Sequence, residues 1–107
     1  MKEIILCSSN PILIKSLYCI LRDEGYSVET VEHPALAVQK VMLRHYDFII
    51  VDSEPFGLSA EDAVQIIKTI VPDMPVMFVG KNIGKEYTKA VETPVDLEEF
   101  KRTVHVM

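Results

Sequence analysis

The sequence predicts an α/β protein: a parallel sheet with right-handed crossovers and helices on both faces. Three observations predict it. Short apolar runs alternate with longer amphipathic segments in a repeated strand-helix order. The run "DFIIVD" (47–52) is almost continuously apolar, the pattern of a strand buried on both faces of a parallel sheet. Prolines and capping residues fall where the longer segments begin, at Asn10-Pro11 and His33-Pro34.

Each element follows in order. "EIILC" (3–7) is too short for a helix and reads as the first strand. "NPILIKSLYCILRDEG" (10–25) is a helix with Asn10 as N-cap, Pro11 at the first helical position and Gly25 as its stop. Its inward stripe is Leu13, Leu17, Ile20 and Leu21, which turns Ile14 and Tyr18, one turn apart, outward. "YSVETV" (26–31) alternates as a strand does, and "HPALAVQKVMLRH" (33–45) is a helix with Ala37, Val38 and Val41 inward. "DFIIVD" follows as the central strand. Ser59 with Asp62 makes a capping-box-like start to a helix whose core stripe is Ala63, Ile66, Ile67 and Ile70, ended by Pro72. "MPVMFVG" (74–80) is the fourth strand and "KAVE" (89–92) a weak fifth. Asp96 with Glu99 opens the last helix, which carries Leu97, Phe100 and Val104 inward. One crossover is missing: "KNIGKEYT" (81–88) has almost no apolar stripe, so a loop or single turn is expected there, uncovering Met77 or Val79.

Composition excludes several classes of function. The 107 residues make one domain, with no repeat or linker, and 49% hydrophobic residues suffice for a core without disulfide or metal. No apolar run approaches the ~18–20 residues that span a bilayer. Lys2 and Glu3 lead into a strand, not into a signal peptide, so a cytoplasmic protein is expected. Cys7 and Cys19 lack CxxC spacing and read as reduced core thiols. A net charge of −5 with no basic stripe argues against direct nucleic-acid binding. His33, His45 and His105 are scattered singly, as surface or helix-end residues, and no metal set emerges. A reactive role for Cys7 is the weaker alternative to a buried, inert thiol.

"YDFIIVD" followed by proline and glycine, "IVPDMPVMFVG", and the opening "IILCSSNP…GYSV" together resemble the receiver domain of two-component response regulators. The resemblance covers nearly the whole chain and rests on several motifs in register. It implies a CheY-like, flavodoxin-like doubly wound sheet of five parallel strands in the order 2-1-3-4-5, with the fourth crossover helix shortened or absent and the site at the carboxyl ends of the strands. It also places Asp52 at the phosphoacceptor position.

The rest of the implied apparatus is altered. Receivers hold Mg²⁺ through an acidic pair after the first strand, and hard carboxylate oxygens are what that ion requires. The matching positions are Ser8 and Ser9, so Mg²⁺ binding is expected to be weak or absent, with Asn10 and Glu54 as poor reserves. Gly80 stands where the family carries its switch hydroxyl, Thr93 where it carries its lysine before Pro94, and Ala90 where an aromatic residue usually sits. Pro55 comes one residue early. Lys81 or Lys85 as a replacement cation is a further alternative, against ordinary solvated lysines.

The sequence therefore reads as an atypical receiver, or pseudo-receiver: a phosphorylation-independent signalling and protein-interaction module, not an enzyme, with Asp52 a structural carboxylate that Ser8 or Ser9 hydrogen-bonds. Two alternatives stay open, a conventional receiver phosphorylated on Asp52 by a histidine kinase and a small-molecule-binding regulatory domain. The first loop, "CSSNP", lacks the glycine-rich phosphate cradle of flavodoxin-like enzymes. Ile14 and Tyr18 are the candidate interaction surface, because the same helix meets phosphotransfer partners in receivers. The expected partners are a histidine kinase, a phosphotransfer protein or an attached output domain, with a homodimer also open and neither membrane nor nucleic acid among them. The last helical pattern still runs at Val106, leaving room for an output domain after residue 107 of a longer protein.

Overall fold

Two prolines set the first two helices. Pro11 and Pro34 each stand at a first helical position, where a missing N–H costs nothing, and each follows a residue whose side chain caps the turn. Asn10 Oδ1 accepts from the amides of Ile12 (3.0 Å) and Leu13 (3.3 Å), while His33 Nδ1 accepts from the amide of Ala35 (3.1 Å). Gly25, at φ 91°, closes the first helix in a conformation that a residue with a Cβ rarely adopts.

A computed structural model of the chain describes residues 2–52, 58–80, 89–91 and 96–106. The strands are β1 (Glu3–Cys7), β2 (Ser27–Val31), β3 (Phe48–Asp52), β4 (Val76–Val79) and β5 (Lys89–Val91). The helices are α1 (Pro11–Asp23), α2 (Pro34–Leu43), α3 (Leu58–Ile70) and α4 (Leu97–His105). All strand pairs are parallel, in the order β2-β1-β3-β4-β5, as the resemblance implied. Each residue of β3 is buried, which explains its continuous apolar run. The expected shortening of the fourth crossover helix concerns residues 81–88, which lie outside the described residues.

Alternation along the strands divides the core in two. Ile4, Leu6, Phe48, Ile50, Met77 and Val79 pack against Leu17 and Leu21 of α1 and Phe100 and Val104 of α4. Ile5, Cys7, Ile49, Val51, Val76 and Phe78 pack against Ala37 and Val41 of α2 and Ala60, Val64 and Ile67 of α3. Burying one Leu or Phe of this kind contributes about 1.5–3 kcal/mol. Among the described residues, no helix is long and apolar enough to cross a membrane.

Several expectations are corrected by this packing. Met77 and Val79 are fully buried under α1 and α4. A right-handed crossover from β4 to β5 would run over the opposite face, where Val76 and Phe78 point, so the length of that crossover does not bear on Met77 and Val79. On α3, Ile66 is 50% and Ile70 40% exposed. The buried stripe is Ala60, Ala63, Val64 and Ile67, and the helix begins at Leu58, which puts Ser59 inside its first turn. Leu97, in the first turn of α4, is also about half exposed. Cys19 is exposed on α1, not a core thiol. On the same helix Leu13 and Ile20 are only partly buried, as are Ile14 and Tyr18, which pack against the same cluster instead of standing clear of it.

Candidate functional site

The register of the sheet builds the site. Cys7 lies beside Val51 across the β1–β3 pair, so the residues that follow, Ser8 and Asp52, meet at the carboxyl end of the two central strands. The Ser8 amide donates to the Val31 carbonyl (3.0 Å), which holds the start of the β1–α1 loop against the sheet. Ser8 Oγ then donates to Asp52 Oδ2 at 2.7 Å, and Ser8 Oγ itself accepts from the amide of Asn10 at 3.0 Å. Ser8 and Asp52 are both buried, at 0% and 2% exposure. A buried carboxylate needs donors, and a short charge-assisted bond of this kind supplies one.

Of the two serines only Ser8 faces Asp52 in the core; Ser9 is exposed at the rim. Asn10 is occupied in capping α1. Gly80 follows β4 directly, is buried, and leaves the strand at φ 154°, so backbone conformation as well as the missing hydroxyl bears on that position. Ala90 lies in β5 opposite Phe78. Glu54, Pro55, Lys81, Lys85 and Thr93 lie outside the described residues. Among the described residues no group of three or more His, Cys, Asp and Glu side chains could hold a metal ion.

Cys7 is buried beside Asp52. Burial first, and the Asp52 charge second, push its thiol up to about 12. At neutral pH it carries its proton, which fits the inert reading and not a nucleophile.

A second polar cluster, which sequence reasoning missed, lies around β2 and the end of α2. Glu29 accepts from Tyr46 Oη (2.8 Å) and pairs with Lys40 (2.6 Å), while Arg44 pairs with Glu3 and stacks over the Tyr46 ring at 5.0 Å. Lys40, and after it Tyr46, hold the Glu29 carboxyl below its ordinary value. Burial, and then the bond to Glu29, push the Tyr46 hydroxyl up to about 12. The signal was present in the sequence as a tyrosine next to the central strand, since a buried phenol requires a partner. The histidines also have neighbours: His45 lies 3.3 Å from Asp47 and His105 3.6 Å from Glu24, both at the surface, and His33 caps α2. Ile14 and Tyr18 line an open groove of about 690 Å³ between α1 and β2, with Lys15 and Thr30.

No protein-family model and no curated protein matches the sequence. Solved structures do match its fold. The chemotaxis response regulator CheY4 of Vibrio cholerae superposes with a TM-score of 0.87 at 17% identity, covering 99% of this chain and 98% of that one. The receiver domain of sensor histidine kinase PA1611 from Pseudomonas aeruginosa, with a magnesium ion coordinated in its active-site cleft, gives 0.86 at 22%, covering 98% and 95%. A chain from the complex of histidine kinase ThkA with response regulator TrrA gives 0.85 at 23%, covering 99% and 97%. With the order β2-β1-β3-β4-β5 and an aspartate ending the central strand, the chain has the CheY-like fold of response-regulator receiver domains.

Proposed function

We propose that the chain is a degenerate receiver, a signalling module that acts through protein contacts and not through phosphoryl transfer to Asp52. One observation carries this reading: the buried Asp52 carboxylate is bonded by a serine hydroxyl, at a position where the resemblance calls for a second carboxylate. Phosphoryl transfer to an aspartate needs a divalent ion to neutralise the phosphoryl oxygens, and a neutral hydroxyl is a poor ligand for Mg²⁺. Weak or absent Mg²⁺ binding is part of the proposal. The partner is a protein, a reading supported by the likeness to a chain from a kinase–regulator complex. A histidine kinase, a phosphotransfer protein and an attached output domain are the candidates.

The test is incubation with a small acyl phosphate and Mg²⁺, read by intact mass. An unchanged mass is expected. A phosphoryl adduct that disappears in Asp52→Ala would establish a working receiver instead. In parallel, Mg²⁺ at millimolar concentration should leave the amide shifts of residues 7–10 and 52 in place, and saturable shifts there would overturn the proposal.

A further inference from the structure

We propose that Ser8 is a strut that ties the first turn of α1, and with it one wall of the α1–β2 groove, to the state of Asp52. The inference rests on the reading above, in which Asp52 holds a hydrogen bond and not a metal. A serine hydroxyl has one proton to give, and here it goes to Asp52 Oδ2, which leaves an oxygen lone pair aimed at the Asn10 amide. Donation to a carboxylate makes that oxygen a better acceptor, so the two bonds reinforce each other. Asn10 passes the constraint on. Its side chain holds the amides of Ile12 and Leu13, and its carbonyl accepts from the amide of Ile14 at 2.9 Å. Ile14 lines the groove with Pro11 and Lys15 from the same part of the helix.

The lever is short and its far end is fixed. Leu17 and Leu21 are fully buried and anchor the body of α1, whereas Pro11 and Ile12 are exposed and Ile14 only half-buried. The first turn is therefore the part of the helix that opens most cheaply. Any change that takes away the Asp52 acceptor releases the Ser8 proton, weakens the Asn10 bond and loosens that turn.

Native-state amide exchange on the full chain tests the strut, with the Ile50 amide in β3 as the control for global opening. Ser8→Ala and Asp52→Ala should each accelerate exchange at Asn10 and Ile14 about tenfold beyond any change at Ile50, in line with loss of a charge-assisted hydrogen bond. The double variant should add nothing further. Asp52→Asn keeps the size and one acceptor oxygen and should accelerate the same two amides less, yet still ahead of Ile50; it carries the test if the alanine variant does not fold. Rates at Asn10 and Ile14 that merely follow Ile50, or effects that add in the double variant, would overturn the strut. The mass measurement stays separate: an adduct on Asp52 sinks the degenerate reading whatever the exchange rates are.

Discussion

At the scale of single residues, a position is decided by whether its polar atoms find partners once water is gone. Ser8 Oγ donates to the buried Asp52 carboxylate, so Ser8→Ala removes a buried hydrogen bond to that group and should cost about 1.5–3 kcal/mol, read from urea unfolding midpoints. Cys7 shows the opposite case, a group held neutral. Its thiol ionises near 9.0 when unfolded and near about 12 when folded, so the folded state is favoured below the unfolded value. That stability is lost as pH rises between the two. Near pH 8, a thiol reagent should therefore label Cys19 alone in the folded chain and both cysteines after denaturation. Labelling of two thiols without denaturant would show that Cys7 is reachable. The sequence offered Ser8 or Ser9 as a hydroxyl donor to Asp52 but not which of them, because only the register of β1 against β3 separates Ser8 from Ser9.

At the scale of elements, helical phase separates residues that composition cannot. On α3 two stripes compete, one through Ala63, Ile66, Ile67 and Ile70 and one through Ala60, Ala63, Val64 and Ile67, and the more hydrophobic one is not the one buried. Isoleucines on the outer side of a helix look like core residues until the helix has something to pack on. Ile67→Ala should cost about 2–5 kcal/mol, whereas Ile66→Ala should cost well under that, since its side chain is half in water already. Equal losses in denaturant unfolding would mean the phase of α3 is wrong. The strand-helix alternation, the proline starts and the buried central strand were legible because they depend on local chemistry; strand parity at Met77 and Val79 was not, because it depends on which face each crossover takes. The link between β2 and α2 is likewise nonlocal. The carboxyl of Glu29 lies below its ordinary value of 4.5, so its contribution is present above that value and is lost as pH falls through the folded one. Between about pH 5 and about pH 3 the unmodified chain should lose more stability than Glu29→Gln, a small difference because the pair is solvent-screened.

At the scale of the whole molecule, the fold sets a site at the carboxyl ends of its strands, and the residues there decide what it can do. The crevice position of Asp52 follows from the sheet order, while its chemistry depends on the loop after β1, where Ser8 is buried and Ser9 is exposed. That asymmetry determines what restoring two carboxylates would cost. In Ser8→Asp with Ser9→Asp, the first new carboxylate enters the core beside Asp52 and the second stands at the rim. Without metal, the like charges repel in a low dielectric, so the melting temperature should fall and at least one carboxylate pKa should rise. A divalent ion reverses the sign of the interaction, because hard oxygens set close together are its preferred ligands. If Mg²⁺ binds the folded double variant alone, a free concentration 100 times its Kd stabilises by about 2.7 kcal/mol. Thermal unfolding with and without millimolar Mg²⁺ distinguishes the cases: the variant should gain stability and the unmodified chain should not. Stabilisation of the unmodified chain would sink the proposal that its own site has lost the metal. Stabilisation of neither would mean that Ser8 and Ser9 do not occupy the ligand positions on which the reading of this site rests.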